Sequence, residues 1–265
     1  MHCGKMLTLV RAHKPLVHHI TNQVTMSECA NITLAAGGLP IMAHAPEEVT
    51  EMVARAGALV LNIGTLSPAQ IEAMLLAGRR ANELGIPIVL DPVGVGATSF
   101  RTDSANRLLL NLRIAIIKGN AAEIAILAGG LAEIKGVESI AVSGDISNLA
   151  AILAKETGAV VVVTGAVDWV TDGSRAVAVH NGHVLMSKVV GTGCMTASVL
   201  GCFVSVSKDM FAAAVGALVS FNVAAEIAAQ ETSAPAAFKV ALFDALFCLT
   251  ETTVDTMQNI REGKM

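Results

Sequence analysis

Tyrosine is missing from this chain of 265 residues, tryptophan occurs once, and aromatic residues make up only 3% of it. That removes the stacking platform on which nucleic acids are held, and a formal net charge of -4 leaves no basic stripe to follow a phosphate backbone. Charge is scarce too, at 15%, against 53% hydrophobic residues. Such a chain is too apolar for disorder and suits a large buried core. Long hydrophobic runs are nevertheless lacking. The longest uncharged stretch, between Lys188 and Lys208, carries Gly191, Thr192 and Gly193 in its first third. What remains is an apolar helix of about a dozen residues, where a membrane span needs roughly 20. The five cysteines (Cys3, Cys29, Cys194, Cys202, Cys248) are odd in number, widely spaced and without a C-x-x-C pair. Neither a disulfide framework nor a zinc site is expected from them. With no export signal at the start, a cytoplasmic location is expected.

What is present is an alternation of short apolar runs with longer helical patterns, the mark of β-α units and a largely parallel sheet. Strands are expected at 39–42, 58–62, 86–90, 114–118 and 159–163, and helices at 25–36, 68–84, 121–127, 148–156, 195–206, 210–229 and 238–257. Apolar and polar residues then alternate over 164–187, with turns at Asp172-Gly173 and Asn181-Gly182, which predicts an antiparallel extension of the sheet. The glycine-rich segment 129–147 reads as a surface loop. No linker, repeat or low-complexity tract divides the chain, so one domain over residues 1–265 is expected.

Three turns that follow strands carry residues suited to chemistry. In Val189-Val190-Gly191-Thr192-Gly193-Cys194 a glycine turn leads into an apolar helix, so backbone N–H groups could face an anion, although close packing of strand and helix also explains it. It is not the dinucleotide fingerprint, because Thr196 stands where a third glycine belongs. Asp91-Pro92-Val93-Gly94-Val95-Gly96 sits where open α/β sheets bind ligands, and Asp91 suits either a cation or a local turn. In Lys118-Gly119-Asn120-Ala121-Ala122-Glu123 the last residue stands at capping-box spacing from Asn120, and capping alone would account for both. Their recurrence matters, together with Thr164-Gly165. Strand ends of a parallel sheet share one rim, where carboxylates and N–H groups would converge on Mg²⁺ and phosphate. Histidines 18, 19, 44, 180 and 183 lack the spacing of a metal site.

Taken in order, Thr21-Asn22-Gln23-Val24, Pro40-Ile41-Met42-Ala43, Asn62-Ile63-Gly64-Thr65, the Asp91 and Asn120 turns, Val163-Thr164-Gly165 and Gly191-Thr192-Gly193-Cys194 closely resemble the hydroxyethylthiazole kinase family of thiamine salvage. The resemblance implies an α/β fold of ribokinase-like type, with a mostly parallel sheet, helices on both faces and a short antiparallel extension. It also implies a homotrimer with sites at subunit interfaces, and transfer of a phosphoryl group from ATP, with Mg²⁺, to 4-methyl-5-(2-hydroxyethyl)thiazole. Asn22, Met42 and Gly191 would then meet the thiazole, Asp91 and Glu123 the metal, and Lys118, Asn120 and Thr164 the nucleotide. Thr192, Gly193 and Cys194 would form the catalytic turn. Lys118 stands where the family has arginine, which keeps the charge and loses the bidentate fork. Cys194 takes the place of the aspartate base of many ribokinase-like enzymes. The start of a helix favours a thiolate, yet a loose phosphoryl-transfer transition state asks little of a base. A hydroxymethylpyrimidine kinase, a catalytically silent sensor of thiazole or thiamine, and a nicotinamide oxidoreductase are the competing readings. They would differ in the Asn22 and Met42 region, in the need for a phosphate rim and in the missing fingerprint respectively.

Overall fold

Each apolar run expected to be a strand is one, and together they make a single sheet. The computed structural model describes residues 2–134 and 146–262. The chain begins with α1 (Cys3–His13), β1 (Leu16–Ile20), α2 (Met26–Ala36), β2 (Leu39–Ile41), α3 (Val49–Val53) and β3 (Ala58–Asn62). It continues through α4 (Pro68–Leu84), β4 (Ile88–Asp91), α5 (Ser99–Asn111), β5 (Ile116–Asn120), α6 (Ala121–Ile134), α7 (Ile146–Thr157) and β6 (Val160–Thr164). Next come β7 (Asp168–Thr171), β8 (Ala176–Val179), a 3-10 turn (Val184–Lys188) and α8 (Thr192–Val204). The remaining elements are α9 (Met210–Glu231), α10 (Pro235–Cys248), α11 (Glu251–Met257) and β9 (Ile260–Glu262).

Strand order is β2-β1-β3-β4-β5-β6-β7-β8-β9, parallel from β2 to β6 and antiparallel from β6 to β9. Along β3, Ala58 and Val60 enter one core with α1, α2, α8, α9 and α10, while Leu59 and Leu61 enter the other with α4 to α7. Side chains alternate across a strand, so a sheet covered on both faces must be apolar at every position. The chain leaves β1 for β2 on one side and returns to β3 on the other. That reversal of strand order opens a crevice at the carboxyl ends of β1 and β3, the usual ligand position in open α/β sheets. Helix α9 is long and apolar enough to cross a membrane by composition, but it is mostly buried inside the fold.

Several expectations need correction. Residues 238–257 are not one helix. α10 stops at Cys248, and α11 restarts after Thr250, whose side chain accepts the Thr253 N–H at 3.1 Å. The expected loop at 129–147 is helical at both ends, since α6 reaches Ile134 and α7 begins at Ile146; its middle, 135–145, lies outside the described residues. Helices α1, α3 and α5 and strands β1 and β9 were not expected. In α5, Thr98 caps the start by accepting the Arg101 N–H, but a polar surface helix shows little apolar period.

Strand β1 hides behind His18 and His19, both fully buried. His19 Nδ1 donates to the Val17 carbonyl at 3.1 Å, and burial depresses its pKa to about 3. The folded state therefore holds it neutral, while the unfolded chain protonates it below about 6.5. The stability this confers is complete above the unfolded value and is lost as pH falls from there toward 3. Between pH 7 and 5 the loss expected from His19 is about 2 kcal/mol. Urea unfolding of the protein and of His19→Gln at both pH values checks this. The variant should show the flatter dependence, and equal slopes would contradict it.

Candidate active site

Because the strands are parallel, their carboxyl ends share an edge, and the polar residues placed there become neighbours. Across the sheet, Met42 follows β2, Asn22 follows β1, and Asn62, Asp91, Asn120 and Thr164 end β3, β4, β5 and β6. Asp91 is fully buried. Its Oδ1 accepts from Lys118 Nζ at 3.1 Å, and its Oδ2 accepts from Asn62 Nδ2 at 2.7 Å. Both oxygens thus meet donors, which suits a carboxylate. Burial works against the Lys118 charge, but Asp91, with Cys194 and Glu123, more than offsets it and raises the lysine pKa above its ordinary value. Lys118 is held as a cation. Removing either partner would strand a buried charge at a cost of about 3–5 kcal/mol.

Asn62 is the hub of the rim. Its Oδ1 accepts from Asn22 Nδ2 at 3.0 Å and from the Gly64 N–H at 2.9 Å, and its Nδ2 also reaches Cys194 Sγ at 3.3 Å. Asn22 Nδ2 donates to the same sulfur at 3.3 Å, while Asn22 Oδ1 accepts from the backbone and hydroxyl of Thr25. Two amides therefore converge on Cys194, with the sulfur as acceptor. Asn22 just after β1, Asn62 on β3, Asp91 on β4, Lys118 on β5 and Cys194 in the first turn of α8 form one connected group.

A second group lies beside the first. Glu123 and Asn120 form the expected reciprocal cap, with Asn120 N–H to Glu123 Oε2 and Glu123 N–H to Asn120 Oδ1, each 2.9 Å. Glu123 does more than cap, because its Oε1 accepts the Gly94 N–H at 2.8 Å and ties the turn after β4 to the start of α6. Thr164 Oγ1 donates to the Gly119 carbonyl at 3.3 Å. Gly191, at φ 94°, precedes α8, and a Cβ there would stand 2.5 Å from Thr25 Cγ2, so both backbone and space require glycine. The Thr192 hydroxyl is spent on the Met186 carbonyl at 2.9 Å, which leaves its backbone N–H as what it offers a ligand. A Cβ on Gly193 would lie 3.1 Å from Lys118 Nζ, so the turn opens against the buried cation.

Beside these groups is a cavity of about 750 Å³, lined by Asn120, Thr164, Thr192 and Gly193 together with Asp168, Gly182, Val184, Met186 and Asn222. The start of α8, with its backbone N–H groups and the Lys118 ammonium buried against Gly193, suits phosphate oxygens. Glu123 and Asp91 offer the oxygen donors that Mg²⁺ takes in kinases, where one or two carboxylates share it with phosphates and water. Each of their four oxygens has one N–H partner and keeps a lone pair. The donor set therefore fits the cation without forming a closed cage.

Of the site residues expected from sequence, Asn22, Asp91, Lys118 and Cys194 are joined by hydrogen bonds through Asn62, and Asn120 is joined to Glu123. Thr164, Thr192 and Gly193 line the cavity, and Gly191 shapes its turn. Met42 lies apart from that cavity, half-buried just after β2 at the sheet's edge. Asn62, Asp168 and Asn222 were missed. An asparagine ending an all-apolar strand, or set in the middle of an apolar helix, is the signal that could have found Asn62 and Asn222.

A buried lysine and carboxylates at the strand ends, beside a helix start and a cavity, form an arrangement suited to phosphoryl transfer. The fold agrees with solved structures too distant to show more than architecture: an ADP complex of pyridoxal kinase from Bacillus subtilis (15% identity, TM-score 0.58, 80% of this chain and 92% of that one) and a ribokinase-like superfamily protein from Enterococcus faecalis V583 (14%, 0.62, 87% and 86%). A hydroxyethylthiazole kinase structure from Pyrococcus horikoshii OT3 matches with TM-score 0.92 and 44% identity over 99% of each chain. Hydroxyethylthiazole kinases from Methanocella arvoryzae and a Roseiflexus species are 55% and 52% identical, over 94% and 98% of this chain and 94% and 96% of theirs. The model of the hydroxyethylthiazole kinase family matches residues 7–252, and the chain belongs to that family.

Proposed function

We propose that the protein transfers the γ-phosphoryl group of ATP to the primary hydroxyl of 4-methyl-5-(2-hydroxyethyl)thiazole, the salvage step that the family name describes. The observation that carries this reading is the connected group Asn22–Asn62–Asp91–Lys118–Cys194, which sets an acceptor end and a phosphate end within one hydrogen-bonded rim. The alcohol oxygen forms the new bond to phosphorus, the bond to the ADP oxygen breaks, and the alcohol proton leaves. Lys118 and the N–H groups of the Gly191–Cys194 turn face the charge that spreads over the phosphoryl oxygens. Bound at Asp91 and Glu123, Mg²⁺ would neutralise phosphate charge and hold the leaving group. Asn22 has no spare donor, so it meets the thiazole nitrogen by giving up its bond to Cys194. That exchange would free an acceptor lone pair on the sulfur for the alcohol proton.

The working assembly is taken to be a homotrimer of single-domain subunits, in the cytoplasm, with neither membrane nor nucleic acid as partner. Exposed apolar side chains support an interface: Leu34 on α2, Leu39 on β2, and Val240 and Phe247 on α10, three elements that pack together at the open edge of the sheet. Val24 and Val190, 65% and 75% exposed, are chain neighbours of Thr25 and Gly191, which touch at the acceptor end. Met42 reaches a neighbour's acceptor pocket from this edge.

The test is acceptor choice. Incubated with Mg-ATP and a panel of thiazole and pyrimidine alcohols, the protein should place a phosphoryl group on hydroxyethylthiazole at least about tenfold faster than on hydroxymethylpyrimidine, a difference of about 1.4 kcal/mol in transition-state binding. Product masses report the result. Preference for the pyrimidine would move the protein to the neighbouring kinase class.

A further inference from the structure

Asn222, one of the residues that line the cavity, carries an unmet hydrogen-bonding group. Asn222 lies midway along α9, between Phe221 and Val223, and is only 3% exposed. Its Nδ2 donates to Asp168 Oδ2 at 2.7 Å and to the Asn181 carbonyl at 3.0 Å. A main-chain carbonyl can only accept, so the amide cannot be turned over and Oδ1 must point away from both. Among the described residues nothing donates to Oδ1. It is also not one of the polar atoms sealed inside the protein, and the residue that carries it lines the cavity.

The groups around it are satisfied. Asp168 Oδ1 accepts the Gly165 N–H at 2.9 Å, Asn181 donates to Glu226 and to the Met257 carbonyl, and the Gly182 N–H donates to Glu226 at 2.8 Å. Gly182, at φ 131°, would carry any Cβ to within 3.7 Å of the Asn222 amide; as glycine it leaves the amide uncovered. No lysine or arginine is among the lining residues. Asp168 is beside Asn222, with burial pushing its pKa up, and offers no cation to a phosphate. The portion of ligand suited to Asn222 is neutral, carries an N–H or O–H donor, and has an apolar face for Val184 and Met186, which also line the cavity. A nucleoside has all three.

We infer that Asn222 Oδ1 is the acceptor that reads the nucleoside of the phosphoryl donor, through the exocyclic amino group of adenine or a ribose hydroxyl. This rests on the proposed kinase activity and adds a specificity-determining residue to it. The experiment measures kcat/KM for ATP, inosine triphosphate, 2′-deoxy-ATP and 3′-deoxy-ATP, with hydroxyethylthiazole saturating, in the unaltered protein and in Asn222→Leu. One analogue, the one lacking the bonded donor, should fall by roughly ten- to hundredfold in the unaltered protein, mostly in KM. In Asn222→Leu the ratio of ATP to that analogue should collapse toward one, and which analogue it is distinguishes base from ribose. A purely structural role would slow all four nucleotides by the same factor and leave the ratios unchanged, which would overturn the inference. So would an unaltered protein that treats all four alike. Should Asn222→Leu fail to fold by circular dichroism, Asn222→Ser carries the same comparison. If no nucleotide phosphorylates the thiazole, the kinase reading itself fails. Activity with unchanged ratios overturns only the role of Asn222.

Discussion

Glu123→Ala is expected to lower kcat by about a hundredfold or more, while Cys194→Ser stays within roughly tenfold of the unaltered protein. Glu123 holds two turns, through the Gly94 and Asn120 N–H groups. On the proposed reading, its loss would remove oxygen ligands for the cation and charge organisation along the rim. Cys194 is held by two asparagine amides, and a serine oxygen can accept the same two bonds. A general base is worth about 10²–10⁴ where proton transfer is part of the barrier, but a loose phosphoryl-transfer transition state leaves most of that unclaimed. Unfolding midpoints measured alongside, with Glu123→Gln as the uncharged near-isostere, separate loss of charge from loss of the tether. Equal losses in kcat, or a larger loss in Cys194→Ser, would make the sulfur the main contributor.

A second large effect is expected from mixing subunits. If Met42 of one subunit completes a site whose Glu123 belongs to its neighbour, Met42→Lys and Glu123→Ala disable opposite halves. Each protein alone should be nearly inactive. Unfolded and refolded together in equal amounts, they form hybrids in which about one site in four draws an intact half from each side. Activity should therefore rise from near zero to about a quarter of the unaltered protein. A monomeric mass in solution would count against the assembly. Mixed samples no more active than their parents, despite demonstrated exchange, would place both residues in one chain's site and leave the kinase reading intact.

Much of this was visible in the residues. The all-apolar strands identified the doubly covered parallel sheet, and the Asp91, Asn120 and Thr164 turns fell at strand ends, whereas the Gly191 turn, expected to follow a strand, follows the 3-10 turn Val184–Lys188. The spacing of Asn120 and Glu123 gave the cap, because capping depends on residues three apart. What stayed hidden depends on contacts between distant parts of the chain. Glu123 and Gly94 are 29 apart, Asn22 and Cys194 172 apart, and no local pattern announces such pairs. Strand β1 was obscured by two histidines that burial keeps neutral, and α5 by its polar face. Asn222 is one polar residue within the apolar helix α9. Its significance depends on the acceptors Asp168 and Asn181, which fix the direction of its amide.

The most direct measurement follows one reaction by two readouts: ADP formed and phosphoryl mass gained by hydroxyethylthiazole, with purified protein, ATP, and Mg²⁺ present or chelated. The expected result is one phosphorylated thiazole per ADP, with both products falling away together when Mg²⁺ is removed. ADP release without a gain of phosphoryl mass on the thiazole would contradict the assignment of the rim as a site of transfer to that alcohol.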